Sequence, residues 1–252
     1  MTKIAFITGA TAGIGEACAK KMAKVGYDLI ISGRREENLN RLEEEILKEY
    51  PCNIRKLVLD VRQQEEVFEK INELPEEWKK IDLLVNNAGL AVGVSALQDG
   101  VIDDWERMID TNIKGLLYIT KAVSPLMIER KQGHIINVTS IAGKEVYPGG
   151  NVYCATKHAA DALTKGMRID MLPHNIKVSS IAPGMVETEF SIVRFKGDKD
   201  KADQVYNGFT PLYAEDIADT VEFIATRPAH VNINDILIMP TAQASARDVV
   251  RN

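Results

Sequence analysis

The sequence predicts an α/β fold: one domain built on a parallel sheet of seven strands with helices on both faces. Three observations predict it. Short β-branched, apolar runs recur along the chain, each followed by a segment whose apolar and charged residues repeat at helical spacing. Several of these runs are apolar at nearly every position, as in strands covered on both faces. No linker, repeat or low-complexity stretch divides the 252 residues, a length one α/β domain can fill.

The elements follow in order. Lys3–Ile7 leads through a glycine-rich turn into a helix over Glu16–Val25. Asp28–Ser32 and the helix Glu36–Glu49 come next, then Ile54–Leu59 and Glu65–Leu74. Leu83–Val85 precedes a long helical stretch, Asp103–Arg130, and His134–Val138 precedes another, Tyr153–Leu172. Lys177–Ile181, the helix Ala214–Thr226 and the strand Asp235–Met239 complete the series. Right-handed crossovers between such strands place the helices on both faces. The polar stretch Ser191–Asn207 breaks the rhythm, and a substrate lid around residues 189–212 is expected there.

Composition narrows the function classes. With 45% apolar and 27% charged residues the chain is ordinary for a globular protein. A net charge of -5 without a basic stripe argues against nucleic acid as partner. No run reaches the roughly 20 apolar residues of a membrane span. Met1-Thr2-Lys3 passes directly into the first strand, so no secretory leader is expected. Cys18, Cys52 and Cys154 are odd in number and unpaired in spacing, which suits a reducing compartment and offers no metal site. A cytoplasmic protein is expected.

The first strand runs into Thr8-Gly9-Ala10-Thr11-Ala12-Gly13-Ile14-Gly15 and then a helix. Glycines there let backbone N–H groups approach a pyrophosphate at the helix N-terminus, with Gly9, Thr11, Gly13, Ile14 and Gly15 as candidate contacts. The spacing 9, 13, 15 departs from G-x-G-x-x-G, but the strand–turn–helix context is that of a Rossmann-type dinucleotide site. The second strand ends in Gly33-Arg34-Arg35, where an NAD site would carry an acidic residue. A guanidinium there binds a 2'-phosphate, so NADP is the expected cofactor, with Arg34 the stronger candidate and Arg35 the second.

Tyr153 and Lys157 stand four residues apart on one helix face. A phenol with a pKa near 10 is a poor base at neutral pH, and a neighbouring ammonium and the positive charge of an oxidised nicotinamide both favour its ionised form. Lowering that pKa by about three units takes roughly 4 kcal/mol of differential stabilisation. Ser140 follows the strand His134–Val138 and Asn86-Asn87-Ala88-Gly89 follows Leu83–Val85; both lie at strand carboxyl ends, where open α/β sheets bind ligands. Asn112 sits in mid-helix, a costly place for asparagine unless its amide is used. Pro183-Gly184 follows the sixth strand, with Thr188 four residues on.

These segments, in this order and spacing, resemble the short-chain dehydrogenase/reductase family along the whole chain. The resemblance implies a catalytic set of Asn112, Ser140, Tyr153 and Lys157. Tyr153 would be the general acid/base and Ser140 would orient the reacting oxygen. Lys157 would hold the nicotinamide ribose and depress the Tyr153 pKa, and Asn112 would position a water for a proton relay. Asp60 and Val61 would meet the adenine, and Asn87, Ala88 and Gly89 the ribose side. Pro183, Gly184, Val186 and Thr188 would meet the nicotinamide and phosphates. The implied strand order is 3-2-1-4-5-6-7 and the implied assembly a homotetramer.

Further segments, among them Gly149-Gly150-Asn151-Val152-Tyr153 and Val193-Arg194-Phe195-Lys196-Gly197-Asp198, resemble a narrower branch, the NADP-dependent 3-hydroxy acid dehydrogenases that act on serine and allo-threonine. The expected substrate is then a small 3-hydroxy acid, its hydroxyl between Ser140 and Tyr153 and its carboxylate on Arg194. Two other readings stay open: a reductase of carrier-linked 3-oxoacyl groups, and a binding module that senses NADP(H) without turnover. His134 is expected to pack at a sheet edge, His158 and His174 to be exposed, and Trp78 and Trp105 to pack. Cys154 adjoins Tyr153 but faces elsewhere on the helix, and no metal site is expected.

Overall fold

Strands apolar at every position stay dry only if helices cover both faces of their sheet. The computed structural model describes residues 2–252. In it β1 (Ile4–Thr8), β2 (Asp28–Gly33), β3 (Ile54–Val58), β4 (Ile81–Asn86), β5 (Gly133–Val138), β6 (Ile176–Pro183) and β7 (Asp235–Ile238) form one sheet in the order 3-2-1-4-5-6-7. Every neighbouring pair is parallel. Around it lie α1 (Gly13–Lys24), α2 (Glu36–Glu49), α3 (Gln64–Asn72), α4 (Ile102–Ile109), α5 (Leu116–Arg130), α6 (Asn151–Met171), α7 (Phe190–Arg194), α8 (Lys199–Gln204) and α9 (Ala214–Ala225).

The period of two along each strand divides the core into two layers. Ala5, Ile7, Leu29 and Ile31 pack against Cys18 and Met22 of α1, Leu39 and Leu42 of α2, and Ile217 and Val221 of α9. Ile4, Phe6, Ile30 and Leu84 point the other way, onto Val67 of α3, Val123 and Met127 of α5, and Met167 of α6. Buried amides tie the second layer to the sheet. Asn86 Nδ2 donates to Asn137 Oδ1 (2.9 Å) and Thr120 Oγ1 (3.0 Å), and Asn137 Nδ2 to Thr164 Oγ1 (2.9 Å). These bonds fix the registration of α5 and α6 over β4 and β5.

Four expectations need correction. The stretch Asp103–Arg130 is not one α-helix: α4 passes through a π-helical turn, Asp110–Gly115, into α5. Apolar spacing looks the same on both sides of such a turn, which is why the sequence reads as continuous. The polar stretch Ser191–Asn207 is largely helical, in α7 and α8, whose five and six residues are too short to show a period. His134 lies on the interior strand β5, not at an edge. Its Nε2 shares a 2.8 Å hydrogen bond with Ser179 Oγ on β6, and burial pushes its pKa down to about 3, so it stays neutral. His158 and His174 are half-buried rather than exposed, and Trp78 and Trp105 pack as expected.

β1 lies between β2 and β4, so chain direction reverses beside its carboxyl end and a crevice opens there. Most of the functional segments read from the sequence arrive at that end.

Candidate active site

The glycine turn is shaped by backbone demands. Gly9 and Gly13 adopt φ of +67° and +55°, a region unfavourable to side-chain-bearing residues. At Gly15 the restriction is space: a Cβ would lie 2.5 Å from Asn87 Nδ2 and closer still to the Gly9 carbonyl oxygen. Asn87 explains the tightness, because its Nδ2 donates to the Thr8 and Gly9 carbonyls at 2.9 and 3.2 Å. The Asn87 side chain therefore braces the turn, while its residue still lines the crevice beside Ala88 and Gly89.

The two arginines after β2 differ. Arg35 is committed, donating to Thr11 Oγ1 (3.2 Å) and to Glu189 Oε2 (3.0 Å) and so joining the turn to the segment before α7. Arg34 is 61% exposed, and its carboxylate neighbour is Asp60 at 4.0 Å. Asp60 is already gripped by Arg62, whose Nε and Nη2 reach it at 2.9 and 2.6 Å; desolvation works against its charge, but Arg62 outweighs it and holds the carboxyl below its usual range. The Arg34 guanidinium is thus left to face the crevice that Gly33, Asp60 and Val61 also line.

Further along the crevice stand Ser140, Tyr153 and Lys157, all at least nine-tenths buried. Tyr153 and Lys157 share a face of α6. Ser140 follows β5, its Oγ accepting from the Ala142 N–H at 3.0 Å. Lys157 Nζ donates to the Val138 carbonyl at 3.1 Å and sits 6.0 Å from the Tyr153 ring centre. A Cβ on Gly89 would come within 3.4 Å of that ammonium, so the missing side chain keeps Lys157 open to the crevice. Pro183, Gly184, Val186 and Thr188 line the opposite wall.

The protein's own groups leave the Tyr153 phenol neutral. Burial pushes the phenol up, the neighbouring Tyr147 adds to the rise, and the Ser140 hydroxyl and Arg194 only partly oppose it. Burial also pushes Lys157 down, to about 8. Both groups are shifted toward their neutral forms by the same dry environment.

Gly15, Asn112 and Arg194 lie outside the crevice wall. Gly15 is beneath the turn. Asn112, in the π-helical turn, braces the loop after β4: its Oδ1 accepts from the Leu90 N–H and its Nδ2 donates to the Leu90 carbonyl, both at 2.8 Å, and also to Thr156 Oγ1 at 3.0 Å. Such turns leave main-chain groups without their α-helical partners and are frequent at functional sites. Arg194 ends α7 with its guanidinium carbon 5.3 Å from the Tyr147 ring centre and 5.9 Å from that of Tyr153. Its Nε is buried with no hydrogen-bond partner among the described residues.

Two neighbours escaped the sequence reading. Phe190 packs on Tyr153 with ring centres 5.8 Å apart, and Tyr147 flanks Arg194. Neither carries a local pattern; only the Gly149-Gly150 turn after Tyr147 hints that the chain folds back there.

The short chain dehydrogenase family model matches residues 3–199, and the chain belongs to that family. It is 47% identical over 244 residues to the NADP-dependent 3-hydroxy acid dehydrogenase of Salmonella typhi, covering 96% of this chain and 97% of that one. It is 46% identical over 245 residues to sulfoacetaldehyde reductase 2 of Chromohalobacter salexigens, covering 97% and 96%. Among solved structures, the closed form of serine dehydrogenase complexed with NADP+ superposes with a TM-score of 0.92 at 45% identity, covering 99% of both chains. Serine dehydrogenase from Escherichia coli gives 0.81 at 40% identity, covering 96% of this chain and 99% of that one.

Proposed function

We propose that this protein is an NADP-dependent dehydrogenase of small 3-hydroxy acids such as serine and allo-threonine. The observation that carries the reading is the placement of Arg194 beside Tyr153: an anion-binding guanidinium has its carbon 5.9 Å from the ring centre of the residue that acts as general acid/base. The NADP-dependent 3-hydroxy acid dehydrogenase and serine dehydrogenase relatives support it. The exposed Arg34, only loosely paired with Asp60, the glycine turn and the open Lys157 ammonium fit a dinucleotide bearing a 2'-phosphate.

Bound NADP would supply the hydride acceptor or donor and, when oxidised, a positive charge. Lys157 would hold the nicotinamide ribose and, with that charge, would offset the burial that keeps the phenol neutral. Ser140 Oγ orients the substrate oxygen. The Tyr153 oxygen takes the hydroxyl proton in oxidation and returns it in reduction. Asn112 holds the Leu90 loop and positions a water that links Lys157 to solvent. Asp60 and Val61, which line the crevice, would flank the adenine. Oxidation leaves a 3-oxo acid, which for serine or allo-threonine loses CO2 readily to give an aminoaldehyde or aminoketone.

A second anion has the same spacing. A sulfonate one carbon from the reacting carbon places its oxygens where the carboxylate would lie, and the sulfoacetaldehyde reductase relative makes it the next substrate to test.

The segment 189–212 acts as the lid over this site. No helix among the described residues is long and apolar enough to cross a membrane, and the assignment includes a cytoplasmic location. It also includes a homotetramer, for which exposed Ile102 and Ile109 of α4, Leu117 of α5, Ile169 of α6, Phe223 of α9 and Leu237 of β7 offer apolar surface.

Absorbance at 340 nm tests the reading, with NADP+ or NAD+ against serine, both threonine diastereomers, 3-hydroxybutyrate, 3-hydroxypropionate and 2-hydroxyethanesulfonate. Reduction of NADP+ by at least one hydroxy acid, faster than of NAD+, is expected. Silence across the panel favours a sensing module instead.

A further inference from the structure

A buried carboxylate outside the crevice holds the lid. Asp104, in the first turn of α4, is 5% exposed, and its Oδ2 lies 2.7 Å from Lys196 Nζ. Its other cationic neighbour, Arg107, is 3.9 Å away. Lys196 is therefore the chief counter-charge of a carboxylate that burial would otherwise penalise.

The backbone at Lys196 gives an independent reason to look at its side chain. α7 ends in a Schellman turn: the Gly197 N–H donates to the Ile192 carbonyl at 2.8 Å and the Lys196 N–H to the Val193 carbonyl at 3.1 Å. Lys196 occupies the left-handed position of that turn, with φ of +56°, where glycine is the usual residue. A lysine there accepts local backbone strain that glycine would relieve. Its ammonium, seated on Asp104, is what glycine could not provide.

The strap so formed reaches Arg194 from both sides. Two residues before Lys196, the Arg194 carbonyl accepts from the Gly93 N–H at 2.9 Å, and a Cβ on Gly93 would lie 2.9 Å from Asp104 Oδ2. The loop after β4, α4 and the end of α7 thus meet at Asp104.

We propose that Lys196 and Asp104 are positioning residues for Arg194. Their ion pair closes the lid so that the guanidinium stands between the Tyr147 and Tyr153 rings, ready for the substrate anion. An open lid hydrates both charges and carries Arg194 away, so the fraction of closed enzyme sets the apparent affinity for an anionic substrate. This inference rests on the assignment of Arg194 to the substrate carboxylate.

Lys196→Gly separates the possibilities, because it relaxes the turn while removing the latch. The readout is the ratio of kcat/KM for 3-hydroxybutyrate to that for butan-2-ol, with Arg194→Met as reference and hydrogen exchange of residues 190–197 in the NADP+ complex alongside. Lys196→Gly should lower the ratio about tenfold through KM, as expected if closed enzyme falls to about a tenth. It should also speed exchange in that segment. Asp104→Asn should do the same, the double variant should be no worse than either single one, and Lys196→Arg should recover most of the ratio. An unchanged or improved ratio in Lys196→Gly, with Arg194→Met still defective, overturns the latch alone; so does unaltered exchange. An unchanged ratio in Arg194→Met removes the carboxylate assignment, and the latch with it.

Discussion

Tyr153 and Lys157 are pulled in opposite directions by the same burial, and each direction has a measurable consequence. Tyr153→Phe keeps the ring against Phe190 and removes the oxygen proposed to exchange a proton with substrate. Turnover should fall by about 10²- to 10⁴-fold, the range for acid–base catalysis, with NADP binding retained. A rate within a factor of a few of the parent would remove Tyr153 from its role. For Lys157, burial moves the pKa from the ordinary 10.5 to about 8. The folded protein thus disfavours the ammonium, fully below pH 8. The penalty is released as pH rises from about 8 to 10.5, where the unfolded chain binds more protons. Lys157→Met should therefore be more stable than the parent at pH 7, by at most about 3 kcal/mol because the bond to Val138 is lost. That advantage should shrink toward pH 10.5 as catalysis is lost throughout. Denaturant melts at the two pH values check it, and a pH-independent difference rejects the buried-charge account. Tyr153, Lys157 and Ser140 were legible in sequence because helical spacing and strand ends are local signals. The shift of the Tyr153 pKa was not, since burial and the charges of Tyr147 and Arg194 come from other parts of the chain.

Elements were read well where they are long and periodic, and poorly where function bends them. All seven strands lie where the apolar runs placed them, to within a residue or two. The π-helical turn at Asp110–Gly115 was hidden, although Asn112 in mid-helix marked the spot, because the turn widens the helix without altering the identity of its apolar face. What holds it is the Asn112 amide, which satisfies both main-chain groups of Leu90. Asn112→Ala would leave that N–H and carbonyl buried without partners, at about 1–3 kcal/mol for each group. Stability should fall by about 2–6 kcal/mol, and turnover should fall further than folded fraction explains, since Leu90 lines the crevice. Urea melts together with kcat per folded molecule test this; a loss of under about 0.5 kcal/mol, as for an ordinary surface change, would mean that water replaces the amide.

At the scale of the whole molecule the glycine turn, β2, and the walls after β4 and β6 meet only because the strand order places β1 between β2 and β4. A ligand spanning these elements stabilises all of them at once, so cofactor preference should be visible in the melting of the entire domain. At a concentration one hundred times its Kd, a ligand adds about 2.7 kcal/mol to the folded state. For a chain of this size that raises Tm by about 5–10 °C. NADP+ should give a shift of this order and NAD+ at equal concentration a smaller one, because only the former has a 2'-phosphate for the exposed Arg34 guanidinium. Charge-assisted bonds of this kind contribute about 1.5–3 kcal/mol, so Arg34→Ala should lose about tenfold or more in affinity for NADP+ while its NAD+ shift stays. The two ligands then become nearly equivalent. Equal loss for both would instead place Arg34 in the general architecture of the crevice and leave Arg35, tied to Thr11 and Glu189, as the group that reads the phosphate.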